Sequence, residues 1–127
     1  PRSTLFPYTT LFRSFLLGSI LATSLNVGFI PVRKKGKLPP TTVAAVANYE
    51  KEYGEDILEL PKLVNDDYKG KKFYIVDDIY ATGNTMRAIK KCIEDLDGIV
   101  VGEGVIINIK ELNDKKDLFS IMDINEE

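Results

Sequence analysis

A short apolar run that meets two aspartates and then a helix is the feature that most constrains this chain. Residues 73–76 (Phe-Tyr-Ile-Val) read as a buried strand, Asp77 and Asp78 follow, and apolar spacing predicts a helix over residues 86–96. Strands that alternate with helices predict an α/β fold with a mostly parallel sheet flanked by helices. Ligands of such sheets bind outside the carboxyl ends of the strands, so this junction is a predicted binding site.

The loop between the aspartates and the helix has the composition of a phosphate site. It consists of Ala81, Thr82, Gly83, Asn84 and Thr85. The start of a helix presents unpaired N–H groups and the positive end of the helix dipole. Gly83 allows the backbone to approach a ligand closely, and the threonines add hydroxyl donors. The loop lacks the Gly-Lys-Ser/Thr of a Walker loop and the GxGxxG of dinucleotide-binding folds.

The adjacent carboxylates narrow the type of ligand. Asp77 and Asp78 would repel a phosphate unless the same ligand also offers hydroxyl groups or develops positive charge in its transition state. A sugar phosphate that reacts through an oxocarbenium-like state offers both. The alternative is that the aspartates only end the strand and that Thr85 caps the helix with nothing bound.

Composition excludes several classes of chemistry. The 127 residues contain one cysteine, Cys92, and no histidine, which rules out an internal disulfide, a His/Cys metal site and Ser-His or Cys-His nucleophiles. Cys92 is expected to fill the core. The net charge of -2 provides no general attraction to nucleic acid or anionic membranes. We therefore expect a cytoplasmic protein with neither as a partner.

The first quarter of the chain has two interpretations. Residues 15–32 loosely resemble a signal peptide, but a buried helix over residues 15–25 and a strand over residues 29–33 account for them better. Residues 1–14 resemble translated adaptor sequence and are predicted to be a non-native leader, with a genuine irregular arm as the alternative. Residues 15–127 then form the domain. Further strands are predicted at its end: a long buried one over residues 99–109 and a short one over residues 118–121.

The segment from Val76 to Thr85 resembles the phosphoribosyl-pyrophosphate binding motif of type I phosphoribosyltransferases. The resemblance implies the type I phosphoribosyltransferase fold with a β-hairpin lid, and it implies a homodimer. It also implies that the loop wraps the 5′-phosphate while Asp77 and Asp78 hold the ribose hydroxyls. Mg²⁺ is expected to bind mainly through the substrate, with no direct protein ligand.

A basic segment extends the resemblance to adenine phosphoribosyltransferases. Residues 28–39 are similar to the segment that contributes cations for the pyrophosphate in that family. Arg33, Lys34 and Lys37 are the candidates, since a highly charged leaving group needs cations on a rigid strand end. The alternative is a solvated basic turn.

Residues 49–60 resemble the mobile catalytic loop of the same family. They are predicted to form a hairpin that turns at residues 54–55. The resemblance implies that Glu52 exchanges a proton with the purine and that Tyr53 helps to close the lid and exclude water. The alternative is an exposed hairpin with ordinary surface charges.

The chain departs from the family in two places. Pro40 stands where the family usually has glycine, and the Ala- and Val-rich stretch over residues 41–48 is longer than usual. The family's domain also begins before residue 15, so its N-terminal helices, first core strand and much of its adenine pocket have no counterpart. Arg13 is therefore given no pyrophosphate role, and the resemblance leaves open whether these 127 residues are active.

The sequence is compatible with three functions. The leading hypothesis is purine salvage, in which adenine and phosphoribosyl pyrophosphate give AMP and pyrophosphate. The alternatives are a non-catalytic regulator that binds phosphoribosyl pyrophosphate and a transferase for another nucleobase. Glu52 and Tyr53 favour the enzyme, and the lack of a basic stripe disfavours a nucleic-acid-binding regulator. Tyr80 either lines the base pocket or packs in the core.

Overall fold

The computed structural model describes residues 10–51, 54–63, 67–115 and 117–125. This part of the chain contains two helices and six strands, with 3-10 turns at Pro40–Thr42 and Lys110–Leu112. In chain order they are α1 (Thr10–Leu25), β1 (Arg33–Lys34), β2 (Val43–Lys51), β3 (Gly54–Pro61), β4 (Lys72–Tyr80), α2 (Asn84–Asp95), β5 (Ile99–Ile109) and β6 (Phe119–Ile124). The described strands form two sheets, ordered β1-β3-β2 and β4-β5-β6. The predicted α/β class is confirmed.

The first sheet contains the predicted hairpin. Strands β2 and β3 pair antiparallel from Val43↔Pro61 to Lys51↔Gly54, and β1 adds an edge strand to β3. The hairpin is longer than predicted because the Ala- and Val-rich stretch joins β2, with one register shift near its start. The predicted turn at residues 54–55 is wrong, since Gly54 pairs with Lys51 and therefore belongs to β3.

The second sheet places β5 beside both β4 and β6. Strands β5 and β6 run parallel, from Gly104↔Phe119 to Ile109↔Ile124. Strand β5 has the predicted bounds, but its first half is not fully buried: 48% of Ile99 and 56% of Val101 are exposed. Alternate residues of a strand point to opposite faces of the sheet, so these two share an uncovered face.

Several elements begin or end away from their predicted residues. Helix α1 begins at Thr10 rather than at residue 15, and β6 runs on to Ile124. The strand predicted over residues 29–33 shrinks to Arg33–Lys34, consistent with Pro31, which has no N–H to donate to a ladder. Strand β4 continues through Tyr80, so the two aspartates lie inside the strand rather than after it.

The chain divides into two compact units. The first comprises residues 1–29, 76–81 and 104–127, and the second comprises residues 30–75 and 82–103. Described apolar residues buried in the first unit are Ala22, Tyr80 and Val105. Helix α2 packs against β2 in the second unit. The core of that unit consists of Ala47, Leu58, Leu60, Tyr68, Ile75, Met86, Ile89, Cys92 and Ile93.

Burial of Cys92 confirms its predicted place in the core, and burial raises the pKa of its thiol. Tyr68 is held in the same core by its hydroxyl, which donates to the Pro61 carbonyl at 2.6 Å, and by stacking on Phe73 at 5.2 Å between ring centroids. Burial raises the pKa of Tyr68 to about 12. Both side chains therefore stay uncharged at neutral pH and suit an apolar interior.

Candidate functional site

The aspartate pair lies near the C-terminal end of β4, in the first unit. Asp77 and Asp78 are half-buried. The Asp78 N–H donates to Asp77 Oδ1 at 2.8 Å, and the Ile79 N–H donates to Asp78 Oδ1 at 2.9 Å. Burial raises the pKa of Asp77 to about 7; the Asp78 N–H opposes this rise, and the Asp78 carboxylate adds to it. Near neutral pH the Asp77 carboxyl is therefore about half protonated and can both donate and accept a hydrogen bond.

Ala81 follows the strand directly and is the last residue of this segment in the first unit. Its carbonyl accepts a hydrogen bond of 2.7 Å from Asn113 Nδ2. Asn113 lies 32 residues further along the chain, after the 3-10 turn that follows β5. Sequence reasoning missed this residue, because no motif or periodicity connects an asparagine in a loop to a strand so far away.

The rest of the loop leads into α2 and belongs to the second unit. Gly83 is buried and left-handed, with φ of 88°, which explains why glycine occupies this position. The Arg87 N–H donates to the Gly83 carbonyl at 3.0 Å and closes the first helical turn. Within the described residues no side chain caps α2, so the N–H groups of its first turn face outward along the axis.

Side chains of the loop differ in their exposure. Thr82 is exposed and Thr85 is half-buried, and both carry hydroxyls that can donate to an anion. Asn84 begins the helix and accepts a hydrogen bond of 2.5 Å from the Arg87 guanidinium through its Oδ1. The sequence places Arg87 on the solvent face of α2. The structure adds that this cation is held against the first turn of the helix.

The basic candidates lie on and after β1, in the second unit. Arg33 is half-buried, and Lys34 is exposed with its Nζ 3.3 Å from Asp56 Oδ2. Lys37 is exposed and its N–H donates to the Lys34 carbonyl, which closes a turn that needs Gly36 at φ of 87°. Arg33 and Lys34 thus lie on the sheet that contains the hairpin, and Lys37 lies in the turn that follows β1.

The two residues predicted to act in the lid, Glu52 and Tyr53, lie outside the described residues. Their neighbours Lys51 and Gly54 are Cα partners at the end of the hairpin ladder. The roles of Glu52 and Tyr53 remain predictions.

A cavity of about 440 Å³ lies elsewhere in the second unit, at the C-terminal end of α2. Its lining includes Tyr68, Leu96 and Asp97. None of the described residues that line it belongs to the candidate site, which occupies the other end of the helix.

The sequence pattern of the phosphoribosyl transferase domain matches residues 11–125. The match spans most of the chain and includes the aspartates, the loop and the hairpin. The chain belongs to the phosphoribosyl transferase family. The predicted membership and fold are thereby confirmed.

Individual phosphoribosyl transferases resemble the chain closely. It is 50% identical over 106 residues to the adenine phosphoribosyltransferase of Brachyspira hyodysenteriae, covering 84% of this chain and 60% of that protein. The corresponding protein of Clostridium acetobutylicum is 47% identical over 106 residues, covering 84% and 59%. The chain therefore spans about 60% of the length of these curated relatives.

Solved phosphoribosyl transferase structures agree with these relatives. The adenine phosphoribosyltransferase of Thermoanaerobacter pseudethanolicus superposes with a TM-score of 0.77 at 40% identity, covering 88% of this chain and 66% of that one. The Saccharomyces cerevisiae enzyme, solved with adenine and an imino-altritol bisphosphate, gives 0.73 at 38% identity, covering 84% and 61%. In the described part of this chain, no helix combines the length and the apolar character needed to cross a membrane.

Proposed function

We propose that the protein to which these residues belong transfers the phosphoribosyl group of phosphoribosyl pyrophosphate to adenine, with AMP and pyrophosphate as products. The observation that carries the proposal is the junction of β4 and α2, where two aspartates precede a left-handed glycine at an uncapped helix start in a phosphoribosyl transferase domain. Similarity to adenine phosphoribosyltransferases at 47–50% identity supports adenine as the base.

The loop binds the 5′-phosphate and the aspartates bind the ribose in this proposal. Residues 81–85 supply backbone N–H groups and threonine hydroxyls, which favour a phosphate monoester. Asp77 and Asp78 accept hydrogen bonds from the ribose hydroxyls. Ionised carboxylates beside the ribose also favour the cationic character that the sugar ring develops in the transition state.

The pyrophosphate leaves toward the basic segment. Negative charge develops on the pyrophosphate as the bond between ribose C1 and the pyrophosphate oxygen breaks. In this proposal that charge is neutralised by Arg33, Lys34 and Lys37. The Lys34 side chain in the ion pair with Asp56 is half exposed to solvent, so a polyanion can approach and compete for the lysine.

We assign the remaining roles to Glu52 and Tyr53, which follow Lys51 in the sequence. Glu52 exchanges a proton with the purine as its nitrogen bonds to the ribose. Tyr53 covers the reacting atoms and excludes water, which would otherwise capture the oxocarbenium-like ribosyl group.

Mg²⁺ fits the donors of this site. Carboxylate oxygens such as those of Asp77 and Asp78 are hard acceptors that can hold the cation through its coordinated waters. In this proposal the cation binds mainly through substrate oxygens, since Mg²⁺ keeps several waters and takes few protein ligands. When bound, the cation neutralises charge on the pyrophosphate. The resemblance to adenine phosphoribosyltransferases further supports a cytoplasmic homodimer.

Product formation tests the proposal directly. The 127-residue chain and a chimera that joins it to the N-terminal segment of the Brachyspira relative are incubated with phosphoribosyl pyrophosphate, Mg²⁺ and one base at a time. We expect AMP from adenine with the chimera, and little product from guanine, hypoxanthine or orotate. Product from another base alone would assign a different substrate, and tight binding without turnover would favour the regulator.

Glu52→Gln in the chimera tests the proton transfer. We expect kcat to fall by about 10²–10⁴-fold, the range of general acid–base catalysis, with little change in the KM for phosphoribosyl pyrophosphate. Glu111→Gln, at an exposed glutamate outside the proposed site, is the matched control and should keep full activity. Unchanged kcat in Glu52→Gln would remove the proposed role.

A further inference from the structure

The Asn113 side chain is the centre of a hydrogen-bond network in the first unit. Its Nδ2 lies 2.7 Å from the Ala81 carbonyl oxygen, 3.0 Å from Asn108 Oδ1 and 3.0 Å from the Ile109 carbonyl oxygen. Its Oδ1 accepts from the Lys115 N–H at 3.0 Å. Three acceptors around one amide nitrogen and a donor at the oxygen leave a single chemically consistent orientation of this side chain.

The network continues from Asn113 into the parallel pair of strands. Asn108 is buried on β5 and accepts from Asn113 Nδ2 through its Oδ1. Its Cα partner on β6 is Asp123, which accepts from the Ser120 hydroxyl and pairs with Lys110 at 3.4 Å. The buried Asn108 side chain therefore ties Asn113 to β5 where that strand pairs with β6.

The backbone of Asn113 is fixed as well. It follows the 3-10 turn Lys110–Leu112, and its N–H donates to the Lys110 carbonyl at 3.3 Å. The side chain therefore projects from a turn that is itself tied to the end of β5. Asn113 therefore connects the end of β5 to the Ala81 carbonyl through hydrogen bonds.

The Ala81 carbonyl shares a rigid plane with the next N–H in the chain. A peptide unit is planar, so the direction of the Ala81 C=O determines the direction of the Thr82 N–H, which points the opposite way. Thr82 is the second residue of the predicted phosphate loop. A hydrogen bond that holds Ala81 therefore orients a phosphate donor through covalent geometry alone.

We propose that Asn113 is a positioning residue for the predicted phosphate loop: it holds the Ala81 carbonyl and so orients the Thr82 N–H for the 5′-phosphate, with Asn108 as its support. The inference rests on the proposed function and deepens it. Asn113 touches no substrate atom in this scheme. Its contribution is to prepare the donor in advance, which lowers the entropic cost of ordering the loop on binding.

The first experiment measures the affinity of the 127-residue chain for ribose 5-phosphate by calorimetry, and the hydrogen exchange of the Thr82 amide by NMR. We expect Asn113→Ala to weaken binding about tenfold, which corresponds to the loss of one hydrogen bond, and to speed exchange at Thr82. Asp114→Ala, at the adjacent exposed position, should change neither quantity. If Asn113→Ala and Asp114→Ala have the same melting temperature, weaker binding by Asn113→Ala reflects the orientation of the loop and not a loss of stability.

Asn113→Asp supplies a signature that a merely structural role would not produce. Its ionised carboxylate cannot donate to Ala81, whereas its protonated form can, so affinity relative to the original chain should recover as the pH falls from about 6 to about 3.5, through the ordinary pKa of an aspartate. Dividing by the affinity of the original chain at each pH removes the titration of the phosphate itself. Asn113→Ala should show no recovery. If Asn113→Ala fails to fold, the pH dependence of the affinity of Asn113→Asp tests the proposal instead.

The outcomes separate the two proposals. If the original chain does not bind ribose 5-phosphate, the assignment of the phosphate loop fails, and Thr82 exchange still judges the role of Asn113. If the original chain binds, and Asn113→Ala binds equally well with unchanged Thr82 exchange, the positioning role is overturned while the proposed function stands.

Discussion

The pKa of the Asp77 carboxyl depends on the position of this residue within β4. A carboxyl at a strand end in water would ionise near pH 4, but here the half-buried side chain sits beside a second carboxylate and its pKa rises to about 7. The sequence identified Asp77 and Asp78 as candidates from their position after an apolar run. Their exposure and their mutual hydrogen bond could not be predicted, because both depend on the strand continuing to Tyr80.

The stability of the chain should depend on the protonation of Asp77. The folded pKa lies above the unfolded value of 3.8, so the stabilising contribution is complete below about pH 4 and is lost as the pH rises through about 7. Asp77→Asn mimics the protonated form. It should raise the free energy of unfolding by about 2–4 kcal/mol at about pH 8, with the difference vanishing near pH 4.

Urea unfolding at a series of pH values measures this difference. Asp67→Asn, at an exposed aspartate of the second unit, controls for removal of one negative charge. A constant difference between Asp77→Asn and the original chain across the series would show that the folded-state pKa of Asp77 is not raised.

At the scale of the elements, the bounds of β4 and α2 differ from the predicted ones. Its strand extends four residues beyond the predicted end and its helix starts two residues before the predicted start. Periodicity reports which side chains are buried, whereas strand bounds follow backbone pairing with β5, which polar residues also make. The loop is consequently shorter and more tightly defined than the sequence indicated.

Gly83→Ala should lower the free energy of unfolding and weaken binding at the proposed phosphate site. A side chain at φ of 88° costs about 1–2 kcal/mol, and relief of that strain would move the N–H groups at the start of α2. Gly70, at φ of 73° and with open space where a Cβ atom would stand, is a matched control outside the loop. Gly70→Ala should lose similar stability in urea unfolding but keep its affinity for ribose 5-phosphate. Equal loss of affinity in both variants would contradict a local role for Gly83.

At the scale of the whole molecule, two compact units each contain buried apolar residues. Leu60 on β3 is 1% exposed in the second unit, and Val105 on β5 is 2% exposed in the first. The alternation of apolar residues along the hairpin indicated one covered face. Which residues reach the centre of the core depends on the packing of α2 on β2, which no local pattern specifies.

Leu60→Ala should cost about 2–5 kcal/mol of unfolding free energy, because it leaves a cavity at the most buried side chain of its sheet. Val46→Ala on the neighbouring strand removes a side chain that is 51% exposed and should change stability by less than about 1 kcal/mol. Chemical denaturation of both variants compares them. Equal costs would indicate that Leu60 is not part of a close-packed core.

The sequence by itself determined the α/β class, the hairpin, and the glycine-containing loop between the aspartate pair and α2. These follow from patterns within about a dozen neighbouring residues, such as the glycine before α2 and the apolar run of β4. Only the tertiary structure decided the raised pKa of Asp77 and the hydrogen bond from Asn113 to Ala81, which spans 32 residues. Burial and contacts between distant segments are products of folding, so no local pattern in the sequence encodes them.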